Sequence, residues 1–265
     1  MDARGLEIID PAVFGGVVAV VIFFGILVFL ALGRRLGLRA LARERTAANI
    51  GSLEAAVFAL LGLLIAFTFS GALSRFDLRR TQVVQEANTI RTAYLRIDLL
   101  PAPVQPGLRE SFRAYTDARI AVYRKLPDLQ SARQEVTRSE ELQRQIWQQA
   151  VSGARLPEAR AGTEFLVLSA VNDMFEIATV RVAATQIHPP SVIYAMLIAL
   201  AFASALLAGY QSASEQGYDR IHKLAFAGMV ALTVYVILDI EYPRLGFVRI
   251  DHIDRMLVDV RAGMK

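Results

Sequence analysis

The sequence predicts an all-α membrane protein with four transmembrane helices and an extramembrane antiparallel helical bundle continuous with the second and third spans. Hydrophobic residues make up 54% of the 265-residue chain, and its mean hydropathy is +0.39. This composition is too apolar for an ordinary soluble domain. Four long stretches lack charged residues, and the polar segment between the second and third repeats its apolar residues with helical periodicity.

The charge-free stretches predict the four spans. The hydrocarbon core of a bilayer, roughly 30 Å thick, requires about 20 residues of helix. Three stretches reach that length, and the fourth is shorter and ends at Asp239. Beside three clear spans, we interpret it as a fourth crossing with Asp239 at the membrane interface. The stretches cover residues 12–33, 55–74, 189–214 and 224–238.

Basic residues predict the orientation of the first span. One arginine, Arg4, precedes it, whereas five follow it within the 34–52 loop. The positive-inside rule therefore places this loop in the cytoplasm and the N-terminus outside. The margin is modest, because arginines also flank the opposite membrane face, at Arg75 and Arg79 and at Arg244 and Arg249 among others.

The segment between the second and third spans predicts a helical bundle. Its first apolar residues recur at alternating spacings of four and three, as in a helix seam that packs on another helix. This seam consists of Val83, Ala87, Ile90, Tyr94 and Ile97. Glycine and proline are absent from 73–100, so the second span is predicted to continue as one helix to Pro101.

Prolines 101, 103 and 106 are then expected to end that helix before a return helix over 108–126. A short helix is predicted around 146–150, and a last bundle helix over 168–182. The tail, 251–265, is predicted to form an amphipathic helix that packs on the bundle or the membrane surface.

These elements define six predicted segments. They are 1–53, the first span and a basic loop; 54–74, the second span; 75–188, the extramembrane bundle; 189–214, the third span; 215–240, a loop and the fourth span; and 241–265, the amphipathic tail.

Enzymatic chemistry is not indicated by the residues. The chain has no cysteine, its three histidines lie on separate segments, and it has no glycine-rich phosphate loop. We therefore expect no catalytic residues, no cofactor and no metal site. The net charge of +4 is spread over every polar segment without a nucleic-acid-binding motif, so nucleic acid is not an expected partner.

Two adjacent stripes of residues run along the second span, one of bulky apolar residues and one of small residues. A stripe of small residues allows close helix packing, with the bulky stripe facing lipid or core, and this is the commoner arrangement. The alternative is that several copies of the helix surround an axis and the bulky stripe forms an apolar constriction that gates ions by dewetting. The bulky residues are Phe58, Leu61, Ile65 and Phe69, and the small ones are Ala55, Ala59, Gly62, Ala66 and Ser70. The pore-lining candidates are Phe58, Leu61, Ile65, Phe69 and Ser70.

Charged and polar residues follow the second span. They indicate either a collar of snorkelling arginines with weak surface ion pairs or a cationic vestibule that concentrates anions at a pore mouth. Glu86 is two turns from Arg79, so its partner is expected on another helix. The candidates are Arg75, Asp77, Arg79, Arg80, Glu86 and Asn88.

These motifs resemble the bacterial bestrophin-like membrane family, which is distantly similar to the bestrophin anion channels. The resemblance is carried by Leu60–Phe67, Ser74–Asp77, Arg79-Arg80, Glu86–Asn88, Asp98–Pro101 and Asp239–Gly246. It adds Asp239, Glu241, Pro243 and Gly246 as family-motif candidates. Thr68 and Ser70 stand where bestrophins have arginine and asparagine, and the contiguous acidic run of the animal calcium clasp is absent.

The resemblance implies a homo-oligomer, with a pentamer as the expected form, in the bacterial cytoplasmic membrane. Our leading hypothesis is an anion-permeable pore lined by the second span, whose partners are the lipid bilayer, further copies of the chain and inorganic anions. Bestrophins keep both termini in the cytoplasm, whereas the arginine count here favours the N-terminus outside, and we follow the arginine count.

Two other functions fit the residues. The first is a non-conducting sensor or scaffold whose bundle binds a partner or ligand, with the seam transmitting a signal along the helix. The second is a motor- or transporter-type subunit that uses Asp239 to carry protons.

Overall fold

The computed structural model describes residues 11–42, 51–126, 128–213, 220–242, 247–248 and 251–265. Every regular element among them is a helix, so the predicted all-α fold is confirmed. The eight α-helices are α1 (Pro11–Leu41), α2 (Gly51–Arg96), α3 (Gln105–Arg124), α4 (Leu129–Ala154), α5 (Thr163–Ala184), α6 (Ser191–Gln211), α7 (Arg220–Glu241) and α8 (Asp251–Ala262).

Four helices, α1, α2, α6 and α7, are long and apolar enough to cross a membrane, as the sequence predicts. The fourth is longer than its charge-free core indicates. Helix α7 has 22 residues and extends on both sides of 224–238, so Asp239 and Glu241 belong to its last turn.

Helix α2 is continuous over 46 residues, about 70 Å at 1.5 Å per residue. A single turn of 3-10 helix, Ile97–Leu99, follows it directly. The predicted uninterrupted helix up to Pro101 is therefore confirmed.

The chain divides into two compact units. The membrane unit comprises 1–76 and 188–248, and the bundle unit comprises 77–187 and 249–265. Helix α2 contributes its first part to the membrane unit and its last part to the bundle unit. The predicted tail segment, 241–265, is divided between the two units.

Close contact between α1 and α6 organises the membrane unit. Buried residues of α1, among them Ile26 and Leu30, share one apolar core with residues of α6 and α7. A side chain at Gly33 would overlap the carbonyl of Leu206, and one at Gly209 would overlap the carbonyl of Leu30. The two helices therefore depend on glycine for an approach this close, as is common between membrane helices.

The predicted seam of α2 is buried in the bundle unit. Four of its residues share one core with apolar residues of α3, α4, α5 and α8, and Val83 is likewise fully buried. Phe112 of α3 and Met174 of α5 are among the residues in that core. The return helix begins three residues earlier than predicted, at Gln105, and so includes Pro106; proline is tolerated in the first turn because its missing N–H has no partner there anyway.

Helix α4 is much longer than the short helix predicted around 146–150. It spans 26 residues and begins after Asp128, whose carboxylate accepts hydrogen bonds from the backbone N–H groups of Gln130 and Ser131. Few residues of α4 are apolar and buried, so hydrophobic periodicity revealed only its second half.

Helix α8 packs on the bundle unit, in agreement with the prediction for the tail. Leu257 is fully buried in the bundle core. The Arg261 guanidinium donates to both oxygens of Asp117, at 2.9 and 3.0 Å. The hydroxyl of Tyr94 donates to the main-chain carbonyl of Lys265 at 2.5 Å, which fixes the segment beyond α8.

We predict that Gly209→Ala destabilises the protein by about 1–3 kcal/mol, because the new methyl group must displace the α1 backbone. Gly228→Ala in α7 is the matched control, since a Cβ there meets no atom within 4 Å. The melting temperature of each variant in detergent, read from the folded protein that remains on size-exclusion chromatography after heating, measures both effects. Equal melting temperatures for the two variants would contradict close packing at Gly209.

Candidate functional site

One face of α2 packs inside the membrane unit. Leu61 is only 3% exposed and lies in the core formed with α1, α6 and α7. Ile65 packs against the same core. The Phe58 ring meets Phe226 of α7 edge-on, with centroids 5.5 Å apart. Three of the four bulky pore-lining candidates therefore contact helices of their own subunit.

The opposite face of α2 is not covered by any of the residues that the structure describes. The small residues at 55, 59, 62, 66 and 70 are all exposed, and a Cβ at Gly62 would meet nothing within 4 Å. Leu63 is 53% exposed and Phe67 is 68% exposed. Of the sequence candidates, Ser70 lies on this face and Phe69, 38% exposed, lies at its edge.

A buried carboxylate joins three segments of the membrane unit. Glu241 at the end of α7 is fully buried, and Arg75 of α2 donates to both of its oxygens at 2.7 to 3.0 Å. Nδ1 of His188 lies 3.2 Å from Oε1 of the same carboxylate, and the His188 ring packs on Tyr242. The structure thus joins two predicted residues, Arg75 and Glu241, and adds His188, for which no function was predicted.

Asp239, in the last turn of α7, holds a segment that lies beyond the helix. Its buried carboxylate accepts hydrogen bonds from the backbone N–H groups of Phe247 and Val248, at 2.9 and 2.8 Å. Both oxygens are therefore used to hold the chain, which is a structural function. The two other candidates of this motif, Pro243 and Gly246, lie outside the described residues.

Glu86 forms the charged centre of the bundle unit. It is completely buried, and Nε of Arg119 on α3 donates to one of its oxygens at 2.5 Å. Arg181 of α5 donates to the other oxygen. The Arg181 guanidinium lies over the Tyr123 ring, 4.1 Å from its centroid. The expectation that Glu86 pairs with another helix is confirmed, and the carboxylate ties α2 to α3 and α5.

Burial and neighbouring groups shift the pKa values of the residues in this cluster. Desolvation opposes the charge of Arg119, but Tyr123 and the Glu86 carboxylate outweigh it and raise the pKa of the guanidinium. Burial likewise raises the pKa of the neighbouring Tyr115 phenol, which stays neutral. The cluster is therefore a permanent ion-pair network at physiological pH.

The arginines that follow the second span have different partners. In the bundle unit, Arg79 donates to the carbonyls of Ala184 and Ile187, at 3.3 and 3.2 Å, and so caps the end of α5. Arg80 forms an exposed pair with Asp77 at 3.4 Å. Of the collar arginines, Arg80 alone is classed as exposed, while Arg75 and Arg79 are directed to partners within their units.

Asn88 lies on an exposed, mostly uncharged groove of the bundle unit. Helix α2 supplies hydroxyl and amide side chains to it at one-turn spacing, and Asp173 of α5 closes its side. Its lining residues are Thr81, Val84, Gln85, Asn88, Thr89, Thr92, Ala170 and Asp173.

Comparison with known proteins identifies the family. A family model described as a bestrophin-like domain matches residues 14–252. The chain belongs to the bestrophin-like family. No curated protein sequence matches it significantly.

Solved structures share the fold of this bestrophin-like chain. A bacterial bestrophin homolog from Klebsiella pneumoniae, crystallised as a point mutant, has a TM-score of 0.63 at 13% identity, covering 92% of this chain and 98% of the other. A second point mutant of that homolog gives a TM-score of 0.56 at 16% identity, covering 91% and 98%. A further crystal structure, of a membrane protein, gives 0.58 at 15% identity, covering 91% and 99%.

Arg119 and Arg181 of this bestrophin-like chain were not predicted from the sequence, although their positions in the apolar pattern indicate burial. Each is a charged residue at a position where the helix faces the core, next to apolar neighbours such as Ala118 and Ala178. Glu86 likewise interrupts the buried seam of α2. One acid and two arginines on three buried helix faces indicate that they pair with one another.

We predict that Glu86→Gln destabilises the bestrophin-like protein by about 3–5 kcal/mol, because the buried Arg119 loses its counter-charge and Arg181 keeps only the longer contact with Asp254, at 3.7 Å. Glu140→Gln on the exposed face of α4 should change stability by less than about 0.5 kcal/mol. Denaturant or thermal unfolding measures both variants. A Glu86→Gln protein as stable as the Glu140→Gln control would contradict a structural role for this network.

Proposed function

We propose that this protein is a homo-oligomeric, anion-permeable channel of the bacterial cytoplasmic membrane, lined by the exposed face of α2. The observation that carries the proposal is the asymmetry of α2 within the membrane unit. Its bulky residues at 58, 61 and 65 pack against the same subunit, while the face with Ala59, Gly62, Ala66 and Ser70 is open.

This face has the chemistry of a pore wall between subunits. Small residues allow several copies of the helix to approach one axis closely. Leu63 and Phe67 supply apolar side chains able to narrow the passage and gate it by dewetting. They take the place of Phe58, Leu61 and Ile65 among the proposed pore-lining residues, whereas Phe69 and Ser70 are retained from the sequence candidates. The family resemblance supports an oligomer, with five copies as the proposed number.

The charged residues proposed to act on ions next to this face also differ from the sequence prediction. Arg75 and Arg79 are engaged with Glu241 and with backbone carbonyls, so they are poorly placed to attract ions. Further along the exposed face of α2, the ionisable pair is Asp77 and Arg80. We propose that Arg80 attracts anions and that Asp77 opposes it. The arginine-rich 34–52 loop supports an orientation with the N-terminus outside.

The alternative of a non-conducting sensor or scaffold differs in oligomeric state. A pore between copies of α2 requires a closed ring of subunits. Native mass spectrometry of the purified protein should therefore give a ring of at least four copies, with five expected. A monomer or dimer would favour the sensor or scaffold.

We predict that a charged thiol reagent blocks current through the variants Leu63→Cys and Ser70→Cys. The natural chain has no cysteine, so each introduced thiol is the sole target. Thiols react as thiolates, which form in water and not in lipid. Planar-bilayer recordings before and after an anionic methanethiosulfonate measure the loss of current.

Two further cysteines control this experiment. Met229→Cys on α7 is 63% exposed in the subunit but should face lipid, and Leu61→Cys is buried. The reagent should not change the current through either of these two variants. Block at residue 229 or 61 with no block at 63 and 70 would contradict the proposed pore wall, and so would a wild-type protein that carries no current.

We also predict that Asp77→Asn increases the permeability of chloride relative to sodium, because it removes the negative member of the exposed pair. Reversal potentials in a salt gradient measure this ratio. Glu140→Gln, which removes an exposed acid from α4, should leave the ratio unchanged. An unchanged ratio in Asp77→Asn would place this side chain away from the ion path.

A further inference from the structure

The groove that includes Asn88 lies entirely within the bundle unit, and residues of α2 and α5 line it. Its volume is about 450 Å³, which falls within the range of small-molecule sites. Asn88 belongs to the motifs that follow the second span, yet it has no part in the proposed pore wall. The groove is therefore a candidate for a separate function.

The α2 side of the groove consists mostly of poor helix formers. Thr81, Gln85, Asn88 and Thr92 follow one another at spacings of four, three and four residues, and Thr89 lies beside them. Threonine and asparagine lower the stability of a helix relative to alanine or lysine. Because better helix formers serve equally well on an exposed face, helix stability does not account for this stripe.

The groove presents hydrogen-bond acceptors to a ligand. The hydroxyl of Thr81 donates to the Asp77 carbonyl at 2.9 Å, and that of Thr89 donates to the Glu86 carbonyl at 3.0 Å. Each of these hydroxyls thereby uses its one donor on the helix backbone and keeps oxygen lone pairs for a ligand. The carboxylate of Asp173 adds an acceptor that carries a negative charge. A ligand of this lining must therefore supply the donors.

Asp173 gives the groove its charge. Among the described residues that line the groove, it is the only one with an ionisable side chain. It forms no hydrogen bond or ion pair with any part of the chain that the structure describes. The residues three and four positions away on α5 are Ser, Ala, Glu and Ile, so α5 supplies no cation to it either. The Asp173 carboxylate is therefore available to a cationic ligand.

We propose that this groove binds a small aliphatic ammonium compound, such as a diamine or an amino alcohol. An ammonium group has three donors and no acceptor, which matches a carboxylate beside threonine oxygens. Val84 and Ala170 supply apolar contacts for the methylene groups of the ligand. The side-chain amides of Gln85 and Asn88 supply oxygens for a second amine or a hydroxyl group. The proposal does not depend on ion conduction.

The test is a titration of the full chain, purified in an uncharged detergent at neutral pH, followed by ligand-observed NMR. The amine probes are putrescine and ethanolamine. The matched controls are butanediol, which has the carbon chain of putrescine without its charges, and succinate, which has the same chain length with negative charges. An amine should bind about fivefold more tightly than butanediol, and succinate should not bind. Binding of putrescine alone would identify a diamine site, and binding of ethanolamine alone would identify an amino-alcohol site.

Three variants locate the amine. Asp173→Asn keeps the size of the side chain and removes its charge, so it should weaken amine binding about fivefold. Glu176→Gln is the matched control, because it removes an exposed acid from the next turn of α5, outside the groove lining. It should leave the affinity unchanged. Asn88→Asp adds a second carboxylate to the groove and should strengthen the binding of putrescine more than that of ethanolamine.

Three results would overturn the proposal. Equal loss of affinity in Asp173→Asn and Glu176→Gln would mean that overall charge, and not the groove, attracts the amine. Full affinity in Asp173→Asn would place the amine elsewhere on the protein. Binding of butanediol or succinate as tight as that of both amines would mean that the groove does not select a cation.

Discussion

The unbroken backbone hydrogen bonding of α2 is the constraint on which the rest of the structure depends. One helix runs from Gly51 to Arg96 and contributes to both units. In the membrane unit, Leu61 and its neighbours are covered, while the small residues are exposed. In the bundle unit, the seam from Val83 to Ile97 is covered, while Asp77 and the polar groove that includes Asn88 are exposed.

Buried charges connect helices that are distant in sequence. Glu86 and Glu241 are fully buried and are each bound by arginine, so removing either acid deprives a guanidinium group of its closest counter-charge. These pairs help to specify which helices pack together.

The sequence was sufficient for the spans, the length of α2 and the buried seam, because each is encoded locally by charge-free length, by the absence of proline and by apolar spacing. It was insufficient for α4, whose polar surface hides its periodicity, and for the partners of Glu86, which lie 33 and 95 residues away. The face of α2 that stays open could not be chosen from two adjacent stripes, since that choice depends on how tightly α1, α6 and α7 pack.

The most direct test of the central claim is a cryo-electron microscopy structure of the protein in lipid nanodiscs. Our account predicts a closed ring of subunits in which Ala59, Leu63, Ala66 and Ser70 of every copy face the central axis. Lipid density against these residues, or an axis lined by another helix, would contradict it.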